Sequence, residues 1–415
     1  MKNIIFCKRC LYSSNHPLGI TFDKDGICSG CKIHEEKDKL DWRHRFNKLK
    51  KLTNRYRSKS RKNYDCIVPV SGGGDSYFIT HVVKNILKLN PLLVSNNKYF
   101  NSEIGIKNLT NLRIKFDADI LMQNLNLNSV KKVTKYSLTE FGNIYWPIIA
   151  GQTVYPVQIA SKYEIPLIIW GAHQGIEQVG MFSHLNNVEM SRRYREDHDL
   201  FGVDAKEFVN IKSNLNEEDI FNYIYPDDNT INSIGVRGIY LGNFLRWDPT
   251  IQHMLMVKKF NYRTSKFNRT FDVYDHVDCF NYMNIHDLLK LYKHGYSKVT
   301  DHACREIRHG RISRDKAIEL VKSYEQKKVL HLKQFASWLH IDLKSLNFLL
   351  DQFKNKKFWD QRNVKSWNFK GLSNYIVNNK NQKKLINKNI LYFFKSRNKD
   401  QNNQNSNYII FGKGI

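Results

Sequence analysis

The sequence predicts an α/β protein: a doubly wound parallel sheet with an N-terminal zinc ribbon and a helical C-terminal region. Three observations predict it. Short apolar runs alternate with helix-period segments from residue 64 to residue 170. A block of three glycines follows the first of those runs, in "DCIVPVSGGGDSYFIT" (65–80). Two C-x-x-C pairs stand ahead of both.

The pairs come first in the chain. Cys7 and Cys10 form one, Cys28 and Cys31 the other, with 17 residues between Cys10 and Cys28. That spacing places four thiolates around one tetrahedral Zn²⁺. Gly26 and Gly30 permit the turns that aim the sulfurs, and His16 is surplus to a full four-cysteine shell. A closed site has no open position, so its expected task is structural. Free thiols in a reducing compartment are the plainer alternative. A basic segment, residues 42–62, then reads as helical and solvated.

The sheet region follows. "YDCIVPV", "PLLVSN", "ADILMQNL" and "IPLIIWG" read as strands. "DSYFITHVVKNIL", "EIGIKNLTNLRIKF", "SVKKVTKYSLTEFG" and, around Pro156, "TVYPVQIASKYE" read as helices. The expected division is a ribbon over 1–45, a sheet domain carrying the glycine block over 46–215, a helical substrate or partner region over 216–330, and a helical extension over 331–415, the last with the low-complexity tail. From about residue 377 the chain turns polar and low in complexity, with one apolar patch, "ILYFF".

Composition bounds the partners. The chain has 415 residues, 41% of them hydrophobic, enough for two or three domains. Its net charge is +27, from 66 Lys and Arg against 39 Asp and Glu. Such an excess favours anionic partners: nucleotides, an acidic sugar or nucleic acid. A solvated basic surface gives the same number, so the charge alone does not make nucleic acid the expected partner. No signal peptide is legible, and "IPLIIWGA" (165–172) is too short to span a bilayer. The expectation is a soluble cytoplasmic protein that does not engage a membrane.

The block "SGGGDS" has the chemistry of an anion cradle. Gly72, Gly73 and Gly74 let backbone N–H groups approach an anion, and the helix behind adds the positive end of its dipole. Ser71 and Ser76 offer hydroxyls; Asp75 can cap the helix or hold Mg²⁺. The block matches neither the Walker A pattern nor the dinucleotide G-x-G-x-x-G.

It resembles the S-G-G-x-D-S loop of the N-type ATP pyrophosphatases, the PP-loop enzymes of adenine nucleotide alpha hydrolase-like fold. The resemblance implies that Ser71, Gly72, Gly73, Gly74, Asp75 and Ser76 bind the pyrophosphate of ATP. The four-cysteine knuckle, this loop, "IPLIIWG", "YLGNFLRWD" (240–248) and "IHDLLKLYKHGYSKVTDHACREIRHGRISRDKAIELV" (285–321), in that order, are similar to the N-acetyl sugar amidotransferase family. That similarity implies a ligase-type reaction: ATP, ammonia and a sugar acetamido group give an acetamidino group, AMP and pyrophosphate. It further implies products for lipopolysaccharide O-antigen or flagellar glycans, and ammonia from a separate glutaminase with a cyclase-like partner. The second residue is not a cysteine, and no cysteine sits in a G-x-C-x-G elbow, so an external ammonia source is expected from the residues too. Many members of the family it resembles carry Lys where this chain has Gly74; its absence implies either weaker ATP binding or a charge supplied by another basic residue, such as Arg192, Arg193 or Arg195.

Further candidates are weighed against plainer readings. In "TDHACREIRHG" (300–310) Thr300 reads as N-cap and Gly310 as stop. His302, Arg305 and His309 then share a face, with Arg308, Arg311 and Arg314 near, a cluster able to clamp the anionic group of an acidic or nucleotide-linked N-acetyl sugar. A charged surface helix has the same pattern. His173 and Glu177, after the strand "IPLIIWG", can hold Mg²⁺ or orient ammonia; with Asp75 they are the catalytic candidates. Trp247 and Asp248 can stack on and bond a sugar or adenine, or Trp247 can be plain core. Two rivals share the loop: a tRNA-modifying enzyme of thiolation or lysidine type, and a non-catalytic scaffold subunit.

Overall fold

The computed structural model describes residues 4–371, apart from 61, 212, 364 and 365. The polar stretch from residue 377 and its "ILYFF" patch lie outside the described residues.

Five strands form one sheet: β1 (Cys66–Pro69), β2 (Pro91–Asn96), β3 (Ile120–Gln123), β4 (Leu167–Trp170) and β5 (Arg237–Tyr240). Every pairing is parallel and the order is β3-β2-β1-β4-β5. The order reverses between β1 and β4. In a doubly wound sheet that reversal opens a crevice at the carboxyl ends of the strands.

Side-chain alternation sends each strand's residues to both faces. Val68, Leu93 and Ile169 face α3 (Gly74–Thr80), α4 (Glu103–Phe116) and α7 (Pro249–Phe260), where Tyr77, Leu112 and Met256 complete the cluster. Ile67, Val94 and Ile168 face α6 (Trp146–Lys162), meeting Val157 and Ala160. Both faces are covered, so the strands read as nearly continuous apolar runs. Two helices precede the sheet, α1 (Ser29–Glu36) and α2 (Trp42–Asn54), and α5 (Leu127–Phe141) links β3 to α6. Beyond α7 come α8 (Asp287–His294), α9 (Lys298–Arg308) and α10 (Arg314–Tyr324). Two more helices, Leu332–Trp338 and Leu343–Asp351, lead to an antiparallel hairpin, Trp359–Asn363 with Ser366–Phe369.

Four local readings change. The basic helix is shorter than expected: α2 is capped by Asp41, which accepts from the His44 N–H at 2.9 Å, and ends at Asn54. Helix α6 starts at Trp146, well before Thr153, with Pro147 in its first turn, where a missing N–H costs nothing. It is buried nearly all round, so it carries no amphipathic period to read. Strand β5 falls in the stretch expected to be helical; "RGIY" is four residues with a glycine, too short to signal itself. Helix α9 begins at Lys298 with Ser297 at the N-cap position, and Thr300 lies inside the helix, buried.

The N-terminal knuckle does not bury its apolar residues alone. Phe6, Leu11 and Tyr12 share a cluster with Val299 and Ala303 of α9 and Val321 of α10. No helix among the described residues is long and apolar enough to cross a membrane.

Just past α10, Glu325 is 1% exposed, and its Oε2 has no hydrogen-bond partner among the described residues. Burial pushes its pKa up from 4.5 to about 8, with Arg269 and Lys322 offsetting only part. The folded state therefore keeps a proton that the unfolded chain sheds. Glu325's contribution to stability is whole below pH 4.5 and is lost as pH rises through about 8. Glu325→Gln is expected to remove that loss. Thermal melts of the two proteins should agree near pH 5, diverge by about 1 kcal/mol per pH unit from there to about pH 8, the variant being the more stable, and differ by a constant amount above it.

Candidate active site

The loop after β1 closes on its own hydroxyls. The Ser71 N–H donates to Ser76 Oγ at 2.8 Å, and the Gly73 N–H to Ser71 Oγ at 3.1 Å. Gly73 holds the N-cap position of α3 without a side-chain cap, so Asp75 is not the cap. Its carboxylate faces α7 instead, with Oδ1 2.8 Å from His253 Nε2.

None of the three glycines has a positive φ. They are required by close approach. A Cβ on Gly72 would lie 2.8 Å from Gly105 Cα and closer still to its carbonyl oxygen. A Cβ on Gly74 would lie 2.5 Å from His253 Cδ2. At Gly73 the nearest atom would be Ser71 Oγ at 3.3 Å, a tight contact with a side-chain hydroxyl rather than with backbone or a ring, so that position is the least constrained of the three. Asn108 of α4 fastens the loop from behind, donating from Nδ2 to the Gly72 carbonyl at 3.1 Å.

Two cavities meet this loop. One, of about 410 Å³, lies toward β2 and β3 and is lined by Ser71, Gly72, Asn96, Ile106, Met122 and the Lys98–Asp278 pair. Both partners of that pair are buried, and the Lys98 ammonium holds the Asp278 carboxyl below its usual range against the opposing effect of burial. The other cavity, of about 400 Å³, runs from Asp75 and His253 past Trp247 and Glu177 to α9, α8 and the knuckle.

Its far end is basic. Lys290, Lys293 and Lys298 line it together with Tyr12, His16 and Tyr296, the Lys290 ammonium lying 4.5 Å from the centre of the Tyr296 ring. Burial alone lowers Lys293 to about 8. Lys290 and Lys298 share Asp301, which they hold ionised against burial. Tyr296 Oη and His16 Nε2 are buried with no partner among the described residues.

The expected site residues separate into groups. Trp247, His302, Arg305, Arg308 and Glu177 line this cavity with Asp75. Trp247 is 1% exposed, edge-on to Phe78, so most of its ring is core. His302 is held by Thr270 Oγ1 at 2.7 Å and Asp275 Oδ2 at 3.2 Å, and Arg305 pairs with Asp272. Asp248 and Arg311 are outside the lining: Asp248 is the N-cap of α7 and accepts from Arg311 at 2.8 Å. Arg311 is further neutralised by Glu306. Glu177 pairs with the buried Lys37 at 2.5 Å, and Lys37 also donates to the Trp247 carbonyl at 2.9 Å. His173 is apart from Glu177's carboxylate. It sits 2% exposed among Phe182, Tyr194 and Tyr240, and does not line the cavity. Arg192 and Arg195 are bound to Asp228 and Asp199, not to the loop.

Sequence reasoning missed two features. His253 is a lone histidine in an apolar helix, and nothing local marks it. Asp272, Asp275 and Asp278 recur every third residue in "DVYDHVD" (272–278). Outside a helix they reach Arg305, His302 and Lys98 in turn, tying α9 to the loop end of β2. The three-residue spacing was the available signal.

The knuckle satisfies the chemistry of a zinc site. All four sulfurs are buried and lie within 4.8 Å of one another, with Cys10 Sγ and Cys28 Sγ 3.6 Å apart. A tetrahedral thiolate shell with bonds of ~2.3 Å separates sulfurs by about 3.8 Å. The N–H groups of Cys10 and Cys28 point at Cys7 Sγ, at 3.4 and 3.3 Å. Arg308 approaches the cluster from α9, with Nε 3.5 Å from Cys31 Sγ and Nη2 3.6 Å from Cys28 Sγ. Its Nη1 donates to the carbonyls of Glu177 and Gln178, at 3.0 and 2.8 Å. Backbone donors and one cation around a thiolate set are the outer shell of a metal site. Arg308 thereby joins the knuckle to the cavity wall after β4.

Comparison with known proteins adds three likenesses. Residues 240–373 match the family model described as LPS biosynthesis protein WbpG-like, C-terminal domain. An uncharacterized protein of Methanocaldococcus jannaschii, MJ1599, is 30% identical over 122 residues, which are 28% of this chain and 42% of that one. The chain thus spans less than half the length of that relative. The solved NMN synthetase of Francisella tularensis aligns over 56% of this chain and all of its own, at 11% identity and a TM-score of 0.27, too slight a likeness to bear on the fold. The fold rests on the parallel sheet itself, and the family match on the segment that carries α7, the three aspartates, α8, α9 and α10.

Proposed function

We propose that the protein uses ATP to convert the acetamido group of an anionic or nucleotide-linked N-acetyl sugar to an acetamidino group, in surface-glycan biosynthesis. One observation carries this reading: a single cavity joins Asp75 of the glycine loop to the basic wall of α8 and α9. The loop suits a pyrophosphate, and the basic end suits an anionic acceptor. The family match supports the glycan half, because residues 240–373 contribute most of the basic end. The cavity toward β2 and β3, with Ile106 and Met122 beside the loop, has room and polarity for the rest of a nucleotide.

The chemistry asks little acid–base work of the protein. The acetamido oxygen attacks the α-phosphorus of ATP, and pyrophosphate leaves toward the N–H groups of residues 72–75 and the hydroxyls of Ser71 and Ser76. Ammonia then forms the new C–N bond at the imidate carbon as the C–O bond to AMP breaks. Positioning and charge neutralisation supply most of the acceleration. Asp75 is the carboxylate available to Mg²⁺ at the loop. Glu177, held by Lys37 at the cavity wall, is the carboxylate placed to take the proton that ammonia sheds on attack. Ammonia comes from a separate glutaminase through a cyclase-like partner, and the work is cytoplasmic.

Purified protein with ATP, Mg²⁺ and ammonium should form AMP and pyrophosphate only when an anionic acetamido sugar is added. AMP formation on tRNA, steeply weakened by salt, would replace this reading with the RNA-modifying one. No ATP use under any condition would leave the scaffold reading.

A further inference from the structure

We infer that His253 is the positioning residue of the glycine loop, and that residue 74 is glycine because the imidazole occupies the space of its side chain. The inference rests on the ATP-loop reading for its consequence and on geometry for its substance. Three observations meet at one point. His253 is 2% exposed on α7, so its ring is fixed by packing. Its Nε2 lies 2.8 Å from Asp75 Oδ1, while Asp75 keeps 46% of its side chain open to the cavity. A Cβ on Gly74 would lie 2.5 Å from ring atom Cδ2 and 2.8 Å from Nε2. A rigid ring in contact with the loop backbone cannot give way as the tip of a flexible side chain would.

The ring therefore does two jobs. It donates an N–H to one oxygen of Asp75, which leaves the other free for a cation in the cavity. It also seats the start of α3 against α7, holding residues 73–75 in register with the hydroxyls of Ser71 and Ser76. Held from α7, the loop needs no side chain of its own at position 74. The remaining ring nitrogen, Nδ1, is buried and without a partner among the described residues, which the seat tolerates only because the ring cannot turn out.

A double-mutant cycle tests this. Gly74→Ala and His253→Ala are each expected to raise the Mg²⁺ concentration for half-maximal AMP formation about tenfold, a loss typical of one charge-assisted contact. The double variant should be no worse than either single one, because the added methyl enters the space the ring has left. His253→Gln, whose amide can still donate to Asp75, should recover most of the loss. Additive losses in the double variant, or a neutral Gly74→Ala, would overturn the inference. If Gly74→Ala alone fails to fold, restored folding in the His253→Ala background supports it, and no restoration overturns it. A second readout needs no ATP: the imidazole nitrogen shifts of His253 should move on Asp75→Asn and on Gly74→Ala. If wild-type protein makes no AMP with any substrate, the ATP reading fails while these shifts still decide the placement of His253.

Discussion

Replacing Cys10 or Cys28 by serine is expected to cost the protein its fold as well as its metal. The four sulfurs are buried, and the apolar residues between them are the ones that pack on α9 and α10. A structural zinc site of this kind is worth about 10–16 kcal/mol to a small knuckle. The net stability of a whole protein is about 5–15 kcal/mol, so the site cannot be lost at small cost. The loss would also spread. Arg308 is held between the sulfurs and the carbonyls of Glu177 and Gln178, and without the thiolates it is a buried cation with half its partners gone. The expected result is one zinc per chain in wild-type protein. Cys10→Ser should be insoluble, or fold with a melting temperature lower by on the order of 10 °C. Metal analysis and thermal melts read both outcomes. A soluble Cys10→Ser protein with unchanged melting would mean that packing on α9 and α10 alone holds the knuckle.

Much of this architecture is legible in the sequence because its signals are local. Two C-x-x-C pairs, four apolar runs and a glycine block each declare themselves within a few residues. What is not legible is what faces what. Arg308 stands in a run of basic residues, and the run suggests a substrate clamp; only the docking of α9 against the knuckle gives it thiolates and carbonyls to bind. Asp248 and Arg311 both read as substrate groups and meet each other instead. His253 and Asp75 are 178 residues apart, and no spacing rule connects them. Strand β5 is hidden by its brevity and α6 by burial on every side, since periodicity fades when a helix has no wet face. The glycines are legible as a loop but not as three different demands. Gly72 answers to the backbone of α4, Gly74 to a ring on α7, and Gly73 only to the Ser71 hydroxyl and the Asp278 carboxylate.

That division makes the alanine series along the loop the most informative experiment on the site. Gly72→Ala brings a methyl against the Gly105 backbone, and neither side can yield, because Gly105 is itself pressed on the Asp278 backbone, with 2.5 Å between its own would-be Cβ and Asp278 Cα. The loop must lift from α4, losing the bond from Asn108 to the Gly72 carbonyl. Overpacking of this kind costs about 1–3 kcal/mol. Gly73→Ala meets nothing nearer than 3.3 Å and sits at an N-cap, where alanine costs about 1 kcal/mol or less against glycine. If the Ser71 hydroxyl yields by a few tenths of an ångström, the variant's stability should fall by no more than about that 1 kcal/mol, less than for Gly72→Ala. Activity should not follow stability. In both variants AMP formation should fall at least about a hundredfold, the loss expected when preorganised donors no longer meet developing charge. In Gly72→Ala the donors have moved; in Gly73→Ala they remain, and the methyl stands where the anion would lie. Denaturant melts and AMP assays on the pair separate the two causes. Equal stability loss in both would mean that the Ser71 hydroxyl cannot yield to the methyl at position 73. A stable Gly73→Ala with full activity would mean that no anion enters the loop from that side, and the pyrophosphate site would have to be sought elsewhere along β1 and β4.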